Sequence, residues 1–255
     1  ITKNVTVKSM TINSGRSLTI NNGASLTVTE LLESSYAQRL IINDGGQLFQ
    51  PSSDVQASFY MSVVNPQNWY SENKDGWQFI ASPFTDADVT NFTQTVYYDA
   101  NYNTITTDYD LYKYDGSQEG EEWRNHKAQT ITSFESGVGY LASQKDKENV
   151  NITGTLNNAT SFTKELSYNE GKDLANFHLL GNPFTFNMDM NNATFTNMVQ
   201  GVAIVTAQGG YTYDVKSIPV GDGFFVKATG ENPSFSYPAA SKATRGEKAN
   251  SLNIT

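Results

Sequence analysis

The chain has 255 residues, enough for one large or two modest domains, and its 26 acidic and 17 basic residues give a formal charge of −9. That balance excludes a nucleic-acid backbone as partner, because such a partner needs a basic face, and argues equally against an anionic membrane surface. There is no cysteine, so disulfides and thiol chemistry are excluded, and a chain of this size buries enough surface to fold without such staples.

No apolar run approaches the length of a membrane-spanning helix, so membrane insertion is not expected. Polarity comes mainly from Asn, Thr, Ser and Tyr rather than from charge, and there are 14 Tyr and 14 Phe. Thr, Tyr and Phe favour strands and Asn, Ser and Gly favour turns, so the composition predicts an all-β protein of extracellular type. The chain opens at Ile1 without a signal peptide, which suggests a mature or excised chain.

The first sixty residues carry an eight-residue beat. "MTINSGRS" from Met10 is followed by "LTINNGAS" and "LTVTELLE", and "LIINDGGQ" begins at Leu40. Each unit starts with an in-out-in strand: Met10 and Ile12, Leu18 and Ile20, Leu26 and Val28, Leu40 and Ile42. Asn-x-Gly follows in three of them, ending at Gly15, Gly23 and Gly45, where glycine can take positive φ and turn a corner without strain. Short strands between regular glycine corners predict a short β-solenoid over residues 1–64; a small sheet of ordinary hairpins is the alternative. "TELLESSYAQR" interrupts the beat as a short helix or a loop. "ASFYMSVV" (57–64) is apolar enough to dock this piece on the rest of the chain.

The remainder repeats itself. "WQFIASPF" (77–84) returns as "FHLLGNPF" (177–184), "DLYKYD" (110–115) as "GGYTYD" (209–214), and "FESGVGYLAS" (134–143) as "IPVGDGFFVKA" (218–228). Gly139-Tyr140 aligns with Gly223-Phe224. Three landmarks in one order predict an internal duplication, with copies at about 65–158 and 166–238 inside a region spanning 65–240. Along 110–115, Leu111, Lys113 and Asp115 alternate with Tyr112 and Tyr114. The opening phrase is apolar on both faces, which predicts a central strand covered on both sides and ended by Pro83 or Pro183. The expected architecture is therefore a short N-terminal β-solenoid followed by a β-sandwich or jelly roll with internal duplication. Each copy is expected to give strands to both sheets. Residues 241–255 are expected to be a linker or the start of a further C-terminal region.

"GWQFIASPF", "DLYKYDG", "GVGYLAS", "LLGNPF" and "GDGFFVKA", behind a Gly/Asn-cornered N-terminal piece, resemble a recurring pattern in secreted and surface proteins of Bacteroidetes. The resemblance covers roughly residues 5–238. It implies an adhesin-like protein, secreted or on the outer face of the outer membrane and often exported by type IX secretion. It implies no catalytic residue on this chain.

Enzyme chemistry is sparse in the residues themselves. His126 lies in a polar stretch and His178 inside an apolar phrase, where a partly buried structural role fits it best. Ser136 and Ser143 lack a base. Glu121 and Glu122 adjoin Trp123, but adjacent strand residues point to opposite faces and cannot flank one glycosidic bond. The acidic stretches at 86–91 and 187–192, with Asp86 and Asp88, offer alternating oxygens for Ca²⁺ but lack the spacing of a dedicated loop. No metal and no cofactor is expected. Aromatic rings remain. Trp69, Tyr98, Tyr112, Tyr114 and Trp123 are the candidates for binding a carbohydrate or a protein partner, the competing reading being that alternate Tyr residues fill a core. The expectation is a non-enzymatic adhesin-like protein that binds an extracellular protein or glycan. A carbohydrate-binding module of a glycan-processing surface system is the alternative.

Overall fold

In the computed structural model, residues 1–62, 77–89, 110–125, 131–143, 149–205 and 210–238 are described, together with the backbone of three short strands at 96–98, 104–106 and 252–254. The protein is all-β, built from several separate sheets linked by turns and single 3₁₀ turns. No helix among the described residues is long and apolar enough to cross a membrane.

The N-terminal strands are β1 (Val5–Ile12), β2 (Leu18–Ile20), β3 (Ser25–Glu33), β4 (Leu40–Asn43), β5 (Gln47–Phe49) and β6 (Gln56–Ser62). Consecutive strands do not pair. β1, β3 and β5 run parallel in one sheet, and β2, β4 and β6 run parallel in another. Val5 pairs with Leu26, Leu26 with Leu48 and Leu18 with Leu40, so partners lie nearly three beats apart in sequence. The beat therefore marks corners, and the chain returns to the same sheet only after several of them. Gly15, Gly23 and Gly45 all hold positive φ, at 76°, 74° and 75°. The corners stack: Gly23 N donates to Gly45 O at 3.1 Å, and Asn43 Nδ2 donates to Asn21 Oδ1 at 2.9 Å. Met10, Ile12, Ile20, Leu26, Val28, Leu40, Ile42 and Leu48 are all buried, each contributing about 1.5–3 kcal/mol of transfer free energy. "TELLESSYAQR" is neither helix nor plain loop. β3 runs on to Glu33 with Leu32 buried and Leu31 exposed, and a single 3₁₀ turn follows at Ala37–Arg39.

Next come β7 (Gln78–Ile80), β8 (Val96–Tyr98), β9 (Thr104–Thr106), β10 (Asp110–Tyr114), β11 (Trp123–Asn125), β12 (Tyr140–Ser143) and β13 (Asn149–Thr155). They are followed by β14 (Phe162–Glu165), β15 (Phe177–Gly181), β16 (Met188–Asp189), β17 (Thr194–Thr196), β18 (Ala203–Val205), β19 (Tyr211–Tyr213), β20 (Ser217–Ile218), β21 (Gly223–Lys227), β22 (Ser234–Tyr237) and β23 (Leu252–Ile254). Two four-stranded antiparallel sheets dominate. The first has the order β11-β10-β12-β7 and the second β19-β18-β21-β15. In each, the apolar phrase pairs with the Gly-aromatic strand, which pairs with the first strand of a hairpin. The registers also coincide: Ile80 with Tyr140 and Phe79 with Leu141 in the first, Leu180 with Phe224 and Leu179 with Phe225 in the second.

Two expectations change here. β7 and β15 end their sheets rather than lying in the middle. They are apolar on both faces because each is covered on both sides: Phe79 and Leu179 meet in a cluster between the sheets, while Ile80 and Leu180 turn to two other cores. Nor does each half give strands to both sheets. Residues 78–143 make one sheet and residues 177–227 the other, while the closing strands pair elsewhere, β13 with β6 and β22 with β14 and β17. The hairpin landmarks also shift. "LYKY" lies beside the Gly-aromatic strand, a place held in the second sheet by Ala203–Val205, whereas "YTY" lies one strand farther out, where the first sheet has Trp123–Asn125.

The ends of β7 and β15 meet through reciprocal contacts. Ala81 N donates to Gly221 O at 2.7 Å and Gly181 N donates to Gly137 O at 3.0 Å. Ile80 bridges to Asp222 as Leu180 bridges to Val138. Glycine is required where these backbones touch: a Cβ on Gly139 would collide with Leu180 O, and one on Gly181 would fall 2.5 Å from the Ala81 Cβ. The N-terminal sheets share a core with the first antiparallel sheet, where Ile42 and Phe59 join Ile80, Phe84 and Tyr140, and they are tied on by backbone pairing as well. β6 pairs with β13 along its whole length, and β5 is held by Leu48 N to Thr185 O at 2.7 Å, Thr185 Oγ1 to Leu48 O at 2.6 Å and a Phe49–Phe186 stack at 4.9 Å.

Candidate functional site

Strand register decides which rings meet. Residues directly opposite on antiparallel neighbours share a face. One row of the first sheet therefore reads Phe79, Leu141, Tyr112, Asn125, with Tyr114 opposite Trp123 beside it. The matching row of the second sheet reads Leu179, Phe225, Ala203, Tyr213, with Val205 opposite Tyr211. These two faces pack on each other. Phe225 lies edge-on to Phe79 at 5.0 Å, to Tyr114 at 4.9 Å and to Trp123 at 5.9 Å, while Tyr114 and Trp123 meet at 5.0 Å. Edge-on pairs of this kind are the favoured arrangement for ring quadrupoles.

The cluster is graded from inside to outside. Phe79, Leu179 and Phe225 are buried and Tyr114 and Trp123 are half-buried. Tyr211, 6.3 Å from Phe79, is 49% exposed and Tyr213 is 73% exposed. Tyr114 donates its hydroxyl to Leu174 O at 3.0 Å. Burial first, then the charge of Glu122, pushes its pKa up to about 12. Burial and Tyr213 also raise that of Tyr211. Both phenols are therefore neutral donors at physiological pH. Two ion pairs flank the hairpins, Arg124 with Glu121 at 2.5 Å and Lys216 with Asp214 at 2.6 Å.

A groove of about 300 Å³ opens beside Tyr114, between the 113–117 segment and the 164–180 segment. Several of its polar groups are already occupied. Lys113 bonds Glu135 at 2.6 Å, and the Asp115 carboxylate accepts from Ser117 N and Oγ, which lowers its pKa. His178 Nε2 lies 2.9 Å from Ser167 O, and burial depresses its pKa, so the neutral ring acts as a structural donor there. Glu121 and Glu122 sit in the turn before β11, Glu121 on Arg124 and Glu122 accepting from Gly120 N. Asp86 spends both carboxylate oxygens on Thr155, through its N and its Oγ1. Asp189 accepts from Asn191 N and Nδ2.

Of the five ring residues singled out from sequence, Tyr112, Tyr114 and Trp123 come together on one face of the first sheet. Tyr112 is also edge-on to Trp77 at 5.7 Å. The backbone of Tyr98 lies in β8. Trp69, the Tyr98 side chain and His126 lie outside the described residues. Sequence reasoning missed Tyr211 and Tyr213, and the signal was present: an alternating Tyr-Thr-Tyr strand flanked by glycines and charge. It also missed Asn182, which is fully buried, donates from Nδ2 to Phe186 O, Ile218 O and Pro219 O, and accepts from Phe184 N.

In comparisons with protein-family models, curated proteins and solved structures, no match is found.

Proposed function

We propose that this chain is a non-enzymatic, adhesin-like protein, secreted or displayed on the cell surface, that holds an extracellular macromolecule. One observation carries the reading: two large aromatic side chains, Tyr211 and Tyr213, stand exposed at the end of an otherwise packed inter-sheet ring cluster. Tyr combines a large apolar face with a polar tip and is enriched in binding surfaces for that reason. A strand holds such rings in fixed positions, so little order is lost on binding.

The architecture we propose around it is a short solenoid followed by a duplicated β-sandwich module. The solenoid reading is supported by the alternation of strands between two parallel sheets, with partners such as Leu26 and Leu48 or Leu18 and Leu40 nearly three beats apart. The duplication is supported by the common strand order, the coincident registers and the reciprocal Gly137 and Gly221 hydrogen bonds. The test is localisation of the native protein together with binding of the purified chain to intact cells and to extracellular matrix. Surface localisation and saturable binding are expected. A protein that stays inside the cell and binds neither surface sinks the reading.

A further inference from the structure

We propose that Tyr211 and Tyr213, continued inward by Trp123, form a stacking platform for an uncharged glycan chain. This rests on the binding reading above and names its ligand class. Tyr211 and Tyr213 are two apart on one strand, so they point to the same side and stand about 7 Å from each other along it. Trp123 ends the equivalent hairpin of the first sheet, and Phe79 bridges the two, 6.2 Å from Trp123 and 6.3 Å from Tyr211. The strip is thus assembled from the outer hairpins of both sheets. The apolar C–H faces of sugar rings lie flat on such rings, while the phenol tips remain free to bond hydroxyls at the rim. Neither the Tyr211 nor the Tyr213 hydroxyl has a hydrogen-bond partner among the described residues.

Charge selects among ligands. The chain as a whole is acidic at −9, which disfavours an anionic polysaccharide. The two cations nearest the rings are each held by a carboxylate, Lys216 by Asp214 and Arg124 by Glu121, while Glu122 adds negative charge beside Tyr114, a setting that disfavours a carboxylate or sulfate. A neutral chain needs no cation. A protein partner would use the same rings but would bind with the salt dependence and buried area of a protein interface.

The experiment measures binding of the whole chain to soluble neutral polysaccharides (xylan, mannan, laminarin and amylose), with alginate as the acidic comparison and a matrix-protein coat as the protein comparison. The variants are Tyr213→Ala, Tyr213→Phe and Tyr211→Ala. The expected result is binding to at least one neutral polysaccharide that is insensitive to added salt. Tyr213→Ala should weaken it about tenfold and Tyr213→Phe by about twofold or less. Binding confined to alginate, or equal neutral-glycan affinity in Tyr213→Ala, overturns the platform. If the matrix-protein coat binds and every neutral glycan fails, the ligand class is wrong and the adhesin-like reading stands. If nothing binds and the protein is not at the surface, both fall.

Discussion

The two antiparallel sheets share a frame and differ in what hangs on it. Strand order, register and the turn after the apolar phrase are the same: Ser82 Oγ accepts from Phe84 N at 3.2 Å as Asn182 Oδ1 accepts from Phe184 N at 2.9 Å. The side chains at equivalent places are unequal. Tyr112 and Tyr114 stand where the second sheet has Ala203 and Val205, and Asn125 and Trp123 stand where it has Tyr213 and Tyr211. The first sheet puts rings on both hairpin strands, Tyr112 and Tyr114 on the inner and Trp123 on the outer, and Tyr114 and Trp123 both pack on Phe225. The second puts small residues on the inner strand and its rings on the outer strand, where they meet solvent. One backbone plan thus yields a structural face in one half and a presented face in the other.

The strongest way to test that the frame is shared is to remove a buried ring from each half. Phe84 and Phe184 are both fully buried. Phe84→Ala and Phe184→Ala are each expected to cost about 3–5 kcal/mol in denaturant unfolding, and a large disparity would break the equivalence. The turn residues should then separate the halves. Asn182→Ala removes side-chain contacts to three carbonyls, of which Pro219 O keeps the Asp222 N–H, and to the Phe184 N–H, and should cost about 3 kcal/mol, against about 1 kcal/mol for Ser82→Ala. Next is the close approach at the seam. Gly181→Ala drives a Cβ to 2.5 Å from both the Ala81 Cβ and Val138 O and should cost about 2 kcal/mol, whereas Ala81→Gly should cost about 1 kcal/mol or less.

The smallest effect is a pH dependence that belongs to one half alone. Asp222 stands where the first sheet has Val138, and burial, then the charge of Asp44, raises its pKa to about 7. Asp44 is itself raised by burial. A carboxyl whose folded pKa lies above its unfolded value stabilises the fold below the unfolded pKa and loses that contribution as pH rises through the folded one. Stability should therefore fall as pH rises from about 4 through about 7, with about 1 kcal/mol of that loss between about pH 6 and pH 8, visible as a lower thermal midpoint at the higher pH. Asp222→Asn should flatten the profile, and an unchanged slope in that variant would remove Asp222 as its source.

Much of the N-terminal region was legible because its constraints are local. Alternation of Leu18, Ile20, Leu26 and Val28 sets the inward face, and Asn-x-Gly sets the corners. The strand pairing was not, since a beat of eight does not reveal that Leu18 passes over β3 to find Leu40 in β4. The apolar phrases announced two-sided burial, but a strand at the end of a sheet can be buried on both faces when another sheet closes on it. "YKYD" and "YTYD" looked equivalent because they share residues, while their places follow from hairpin order. For the candidate site, the ring types were legible and their exposure was not. Tyr114 is covered because Phe225 lies over it, and Tyr213 is open because its neighbour across the sheet is the small Ala203. For Tyr114, the covering partner comes from the other half of the chain, which no local pattern announces.

The central claim is that the outer strand of the second sheet presents a binding surface that the fold itself does not need. The most direct measurement compares the intact protein with a Tyr211→Ala/Tyr213→Ala double variant in two readouts, thermal midpoint and binding to the cell or matrix surface that the intact protein recognises. Exposed positions change stability little, by about 0.5 kcal/mol each, so the midpoint should move by only a few degrees while binding is lost. Undiminished binding by a folded double variant, or a collapse of the midpoint, would contradict the account.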